Sequence, residues 1–131
     1  MENILPFNFH YIHGRPMIMA KLGVSPESSR YFRLLIDSGA DYTIISQKDA
    51  ILLGLDYRKM RSPEIKVEVA NLTSIHAKKT TLWITIETVE LRIPVLVTKE
   101  EVECLLGRKG VFDYFDVTFQ EGKEQVLFTC L

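Results

Sequence analysis

The chain has 131 residues, of which 47% are hydrophobic and 25% are charged, and its formal net charge is −1. A chain of this length and composition is expected to form one globular domain, residues 1–131, with a sizeable core. The charge balance lacks the basic excess of a nucleic-acid surface, and no apolar run approaches the roughly 18 residues of a membrane span. We therefore expect neither nucleic-acid nor membrane partners.

The N-terminal residues show no targeting signal and no metal-binding pattern. No basic segment is followed by an apolar stretch, so no signal peptide is predicted and a cytoplasmic location is expected. Residues 1–15 lack a clear period and are interpreted as an N-terminal arm, in which His10 and His13 have no acidic or cysteine partner nearby. Cys104 and Cys130 are expected to be reduced thiols. We expect no metal site and no cofactor.

The first third of the chain predicts a strand hairpin followed by a short helix. Residues 17–24 and 31–36 have strand patterns and are separated by a loop, so they are predicted to form a hairpin that ends at Asp37. Residues 46–49 then resemble a capping box, with Asp in the place usually held by Glu. Gly54 can close the helix that this box begins.

The remainder of the chain predicts mainly strands. Alternating apolar and polar residues mark strands at 65–69, 81–87 and 89–97, and a closing hairpin at 117–119 and 126–128. One helical turn is predicted between residues 111 and 115. The sum is an all-β domain with one or two short helices, expected to be a small closed barrel.

The stretch from Leu34 to Ile45 is the most informative part of the sequence. An apolar run ends at Asp37, and Ser38 and Gly39 follow at once, which predicts a buried strand that enters a tight turn. A carboxylate at the end of a buried strand needs partners or takes a proton, because desolvation of its charge is costly. This placement suits a catalytic acid, although Asp-Ser-Gly alone is also typical of an ordinary strand-to-turn Asp.

A longer match supports the catalytic interpretation. Asp-Ser-Gly-Ala, with three apolar residues before it and Thr43 and two apolar residues after it, resembles the active-site turn of retropepsin-like aspartic proteases. Far downstream, Leu105-Leu106-Gly107-Arg108 resembles the second signature of that family. The resemblance extends from about residue 16 to residue 128. It implies a retropepsin-like barrel and an aspartic endopeptidase that acts on peptides or proteins.

The resemblance also implies a homodimer. Peptide hydrolysis by this family uses two carboxylates that share one proton, because like charges a few ångströms apart cannot both ionise. This chain has one Asp followed by Ser-Gly, and it is Asp37. The simplest completion of the site is a symmetric dimer in which each subunit supplies its Asp37 at the twofold axis.

The neighbours of Asp37 have supporting roles in this interpretation. Ser38 would form a hydrogen bond across the axis and fix the two turns together. Gly39 would let the backbone carbonyl approach the substrate, and Ala40 would leave room for a peptide. Tyr42 stands where retroviral members often carry a second acid, and this departure bears on substrate preference.

A second group of residues is expected to stabilise the substrate or the dimer. Asp41 is the acid that retropepsins keep two residues after the Gly, and Arg108 is its expected ion partner, in a pair that a plain structural role would also explain. Thr43 and Gly107 are assigned to the same group.

The family places its flap, a hairpin that folds over bound substrate, between residues 65 and 79. In this chain the tip would comprise Ala70, Asn71, Leu72, Thr73 and Ser74. The glycine-rich tip of retroviral members is absent, so an ordinary surface hairpin is the alternative.

Two other functions are compatible with parts of the sequence. The first is a protease-like barrel without turnover that acts as a dimeric binding or scaffold protein. The second is a phosphorylation-dependent docking motif, since Asp-Ser-Gly opens a known degron pattern. That pattern requires Ser in the place of Tyr42 and an exposed segment, whereas the apolar residues around Asp37 indicate burial.

Overall fold

The computed structural model describes residues 6–69 and 73–131, which form ten β-strands and one α-helix. The strands and the helix are β1 (Phe7–His10), β2 (Met17–Gly23), β3 (Ser29–Ile36), β4 (Thr43–Ser46), α1 (Gln47–Leu52), β5 (Glu64–Val69), β6 (Thr73–Ile86), β7 (Val89–Thr98), β8 (Leu105–Leu106), β9 (Phe115–Gln120) and β10 (Gln125–Cys130). Short 3-10 helices cover Tyr57–Lys59 and Glu121–Lys123. The predicted all-β class is confirmed.

Seven of the strands form a sheet that closes on itself. Its order is β2-β3-β8-β4-β7-β6-β5, and β2 also pairs with β6, so that strands near the two ends of the sheet meet. Apolar residues at alternate positions face the interior, and Leu22, Leu34, Ile84 and Ile93 are each at most 1% exposed. The sheet is therefore a small barrel around one main core, as predicted.

The predicted hairpins form with the expected partners. β2 and β3 pair antiparallel from Met17 opposite Leu35 to Gly23 opposite Ser29. β6 is longer than the strand predicted at 81–87, because the apolar alternation continues back through Ile75 and buries it. β9 and β10 form the closing hairpin.

The predicted helix also forms, and its cap is the predicted one. The Ser46 hydroxyl accepts a hydrogen bond from the Asp49 backbone N–H at 3.3 Å, which satisfies a donor that the first turn leaves unpaired. Gly54, at φ +86°, continues the chain in a left-handed conformation after the helix. None of the helices in the two described ranges is long and apolar enough to cross a membrane.

The interpretation of residues 1–15 as an arm requires correction at residues 7–10. These residues form β1, which pairs antiparallel with β10 and places Phe7 opposite Phe128. The ring centroids of Phe9 and Phe128 lie 5.3 Å apart, and Phe7 is only 6% exposed. The partner strand lies at the other end of the chain, so the short aromatic segment carries no local signal of its burial.

Two glutamates connect the base of the β5–β6 hairpin to its surroundings. Glu64, at the start of β5, accepts a hydrogen bond from the Tyr57 hydroxyl at 2.5 Å. This bond holds the pKa of Glu64 below its ordinary value of 4.5. Glu100 accepts from the Thr98 hydroxyl and, at 3.3 Å, from the His76 backbone N–H. The bond from Thr98 is the main reason that the pKa of Glu100 is also lowered.

We expect the free energy of unfolding to fall as the pH drops below 4.5, the ordinary pKa of Glu64 and Glu100. Because both pKa values are lower in the folded state, the unfolded state binds more protons in this window, so stability rises with pH there and is fully present above it. Chemical denaturation between about pH 3 and pH 7 measures the decline. The decline should be shallower in Glu64→Gln/Glu100→Gln than in Glu27→Gln, which changes an exposed loop carboxylate. Equal declines would contradict the prediction.

Candidate active site

The two sequence motifs lie side by side because β8 is inserted between β3 and β4. β8 pairs parallel with the end of β3, with Leu105 opposite Leu35 and Leu106 opposite Ile36, and it pairs antiparallel with β4. The Asp37 backbone N–H donates to the Leu106 carbonyl at 3.0 Å. The second motif thus holds the end of β3, where Asp37 lies, through backbone hydrogen bonds.

Backbone hydrogen bonds continue this support beyond the strands. The Arg108 N–H donates to the Ala40 carbonyl at 2.9 Å, and the Lys109 N–H donates to the Asp41 carbonyl at 2.8 Å. The turn is therefore held at residue 37 by β8 and at residues 40 and 41 by the chain that follows β8, in addition to its own internal bonds.

Gly107 lies close against the backbone of Tyr42 and Thr43. The Gly107 N–H donates to the hydroxyl oxygen of the fully buried Thr43 at 3.1 Å. A Cβ on Gly107 would lie 2.3 Å from both the carbonyl carbon and the carbonyl oxygen of Tyr42. Only glycine allows the two backbones to approach this closely. Gly107 and Thr43 both hold the turn in place within one chain, and their predicted role toward the substrate or the dimer stays a prediction.

The Asp37 carboxylate is oriented by its own turn. Its Oδ1 accepts a hydrogen bond from the Gly39 N–H at 2.9 Å, and its backbone carbonyl accepts from the Ala40 N–H at 3.1 Å. Asp37 is half-buried, while Ser38 and Gly39 are exposed. The turn therefore presents a fixed carboxylate at the protein surface, with a hydroxyl residue exposed beside it.

Asp37 lines a cavity of about 460 Å³ between the turn and the β5 strand. The cavity is lined by turn residues Asp37, Gly39, Ala40, Asp41 and Tyr42, by Val67, Glu68 and Val69 of β5, and by Ile44, Leu96 and Leu105. A concave site with largely apolar walls and a few polar groups is typical of ligand binding. The cavity brings four of the predicted site residues together, namely Asp37, Gly39, Ala40 and Asp41.

The β5 wall of this cavity was missed by the sequence interpretation. Alternation at residues 65–69 predicted the strand, and Val67 and Val69 share one of its faces and line the cavity, as does the intervening Glu68. The same alternation is the signal that could have found them. It shows which residues share a face, but it does not show what the face is directed toward.

Part of the predicted flap is described, and part is not. Ala70, Asn71 and Leu72 lie outside the described residues. Thr73 and Ser74 begin β6, where they pair with Val69 and Glu68 of β5. The hairpin β5–β6 therefore runs beside the cavity, and its role as a flap stays a prediction.

The expected ion pair between Asp41 and Arg108 is corrected by the structure. Both residues are exposed, and the ion pairs within 4.0 Å among residues 6–69 and 73–131 do not include one between them. The two segments are instead joined through backbone groups, as the bonds from Arg108 and Lys109 show. An exposed ion pair contributes little in water, so the turn does not depend on one.

Tyr42 has two basic neighbours that the sequence interpretation did not identify. The ammonium groups of Lys79 and Lys109 lie 5.3 and 5.5 Å from the centroid of its ring. Both distances are within the range of a cation–π interaction. The cavity wall at this position is therefore aromatic, with two cations over its ring.

Comparisons with known proteins agree with this architecture. A family model described as gag-polyprotein putative aspartyl protease matches residues 28–109, which is more than half of the chain. A comparison with curated protein sequences gives no significant match.

Solved structures share the fold at low sequence identity. The crystal structure of a retropepsin-like aspartic protease from Rickettsia conorii matches with a TM-score of 0.72 and 18% identity, over 95% of this chain and 99% of the other. EIAV protease in complex with the inhibitor HBY-793 matches with a TM-score of 0.53 and 18% identity, over 72% of this chain and 82% of the other. The chain therefore belongs to the gag-polyprotein putative aspartyl protease family and has the retropepsin fold.

Proposed function

We propose that the protein is an aspartic endopeptidase that hydrolyses peptide bonds between two Asp37 carboxylates, one from each subunit of a homodimer. The observation that supports this best is the position of Asp37. Its carboxylate is oriented by the Gly39 N–H at 2.9 Å and lines the cavity of about 460 Å³ beside β5. A fixed carboxylate at the edge of a largely apolar cleft is suited to act on a peptide that lies in that cleft.

One chain supplies half of the required chemistry. One carboxylate must accept a proton from water as it attacks the scissile carbonyl, and a second, protonated carboxyl must donate a proton to the substrate. A twofold axis beside the turn of residues 37–39 would bring two copies of Asp37 together. The exposed position of Ser38 supports this arrangement, because its hydroxyl is accessible to the same residue of a partner.

The cavity would hold the substrate side chains next to the scissile bond. Val67, Val69 and Leu96 give it apolar walls, and the small side chain of Ala40 leaves the space beside the carboxylate open. We assign residues 70–74 to the flap, since they follow β5, which lines the cavity, and include the start of its partner strand β6. In this proposal the flap covers the peptide and limits the access of water to the reacting groups.

Proteolysis that depends on enzyme concentration tests the shared site. We expect specific activity against a disordered protein to rise with enzyme concentration until the dimer dominates, because a monomer holds one carboxylate of the two. Sedimentation measured over the same concentrations should show the dimer appearing in parallel.

Two outcomes would contradict the proposal. Full activity from a protein that sediments as a 15.1 kDa monomer would exclude the shared site. A stable dimer without turnover between about pH 4 and pH 7 would favour the non-catalytic scaffold.

A further inference from the structure

A second groove lies beyond the end of β4 that is farther from Asp37. Its volume is also about 460 Å³, and it shares no lining residue with the cavity at Asp37. It is bounded by α1, by the 3-10 helix at Tyr57–Lys59, and by Lys99 after β7. Along β4 the two sites are close in sequence, since Ile44 lines the cavity and Gln47, directly after β4, lines the groove, a separation on the order of 10 Å at the usual rise of a strand.

The groove is positively charged although the chain is not. Lys48, Arg58 and Lys99 line it together with one acid, Asp56, whereas the formal net charge of the whole chain is −1. Arg58 lies 3.7 Å from Asp56, and Lys99 lies 3.7 Å from Glu64. These are surface pairs, and the Arg58 side chain is 85% exposed. Such pairs are weak in water, so their loss opposes the binding of another carboxylate only slightly.

The groove also has an apolar side. Ile51 lines it and is 58% exposed. Ala50 is the residue that α1 buries in the core. The exposed side chain of Ile51 therefore lies beside three cations. This combination is complementary to a ligand that carries both negative charge and an apolar group.

We propose that this groove binds an acidic polypeptide segment. Its carboxylates contact Lys48, Arg58 and Lys99, and one of its apolar side chains packs on Ile51. A small inorganic anion could contact the cations, but it has no apolar group to pack on Ile51. Binding requires no hydrolysis, so the proposal does not depend on catalysis by Asp37.

A segment held in this groove lies next to the base of the β5–β6 hairpin. The Tyr57 hydroxyl donates to Glu64, the first residue of β5, at 2.5 Å, and the Lys78 ammonium of β6 donates to the Tyr57 carbonyl at 2.9 Å. The same hairpin places Val67 at the cavity beside Asp37. The groove and the cavity beside Asp37 are therefore connected through one structural element, the β5–β6 hairpin.

Binding of a labelled acidic peptide to the Asp37→Asn protein tests the proposal, because that variant removes cleavage from the measurement. The probe is a fluorescein-labelled peptide in which Glu residues flank a central Leu, and its matched controls carry Gln in place of Glu or Ser in place of Leu. Fluorescence anisotropy should show that the Glu-Leu peptide binds tightest and that its affinity falls as NaCl is added.

Substitutions within the groove should weaken this binding. We expect Lys48→Glu/Arg58→Glu to raise the Kd at least tenfold, and Ile51→Ser to reduce the preference for Leu over Ser in the peptide. Arg33→Glu/Lys123→Glu makes the same change in net charge at exposed positions that do not line the groove, and it should leave the Kd within about twofold. Thermal melting of each variant shows that the fold is retained.

Several results would overturn the proposal. Equal affinity for the Glu and Gln peptides would show that charge plays no part in binding. An equal rise in Kd in both double variants would show that binding reflects general electrostatic attraction only. Absence of binding at millimolar peptide would show that the groove is not a peptide site. Binding of a single-stranded oligonucleotide that Lys48→Glu/Arg58→Glu abolishes, without peptide binding, would assign the groove to a different ligand.

Discussion

Replacement of Asp37 by Asn is expected to abolish proteolysis and to leave the fold and the dimer intact. Asn is nearly isosteric, and its side-chain oxygen can still accept the hydrogen bond that the Gly39 N–H now donates to Oδ1 at 2.9 Å. Because the proposed dimer is symmetric, one substitution removes both carboxylates. Loss of general acid–base catalysis alone costs about 10²–10⁴ in rate, and loss of both partners should cost more.

Proteolysis of a disordered protein between about pH 4 and pH 7, with sedimentation measured on the same samples, checks this expectation. Asp116→Asn is the matched control, since Asp116 is exposed on β9 and does not line the cavity. Its activity should equal that of the unmodified protein. If Asp37→Asn stays dimeric and retains full activity, Asp37 is not the catalytic acid and the proposed mechanism is wrong.

Replacement of Gly107 by Ala is expected to destabilise the whole site without touching a catalytic group. The added Cβ would lie 2.3 Å from backbone atoms of Tyr42 and 2.8 Å from the backbone nitrogen of Thr43. Backbone atoms cannot move aside as the end of a flexible side chain can, so β8 and the turn must separate. We expect the free energy of unfolding to fall by about 3 kcal/mol or more and activity to fall with it.

Chemical denaturation compared with Gly122→Ala measures this effect. Gly122 lies in the exposed connection between β9 and β10, and a Cβ there would meet no atom within 4 Å. That variant should change stability by less than about 1 kcal/mol. Similar stabilities for the two variants would show that the contact between the motifs does not hold the turn.

Much of the local structure follows from the sequence alone. The alternation of apolar residues predicts β2, β3, β5, β7 and the closing hairpin, and the Ser46–Asp49 cap predicts the start of α1. The Asp-Ser-Gly turn after a buried strand marks Asp37 as the candidate acid. These features depend on side-chain periodicity and turn chemistry within a few residues, which any folded context must satisfy.

The tertiary structure decided which of these elements meet. β8 has two residues, too few for any periodicity, yet it lies between β3 and β4 and supports the turn at Asp37. Pairing of β1 with β10 joins the two ends of the described chain. Asp41 and Arg108 are both exposed and do not form the expected ion pair.

The cavity wall on β5 and the cationic groove beside α1 likewise combine residues that are distant in the chain. Such contacts depend on strand order and barrel closure. They also depend on the closure of loops, whose entropic cost must be met before contacts between distant residues can stabilise the fold. No short stretch of sequence records these properties.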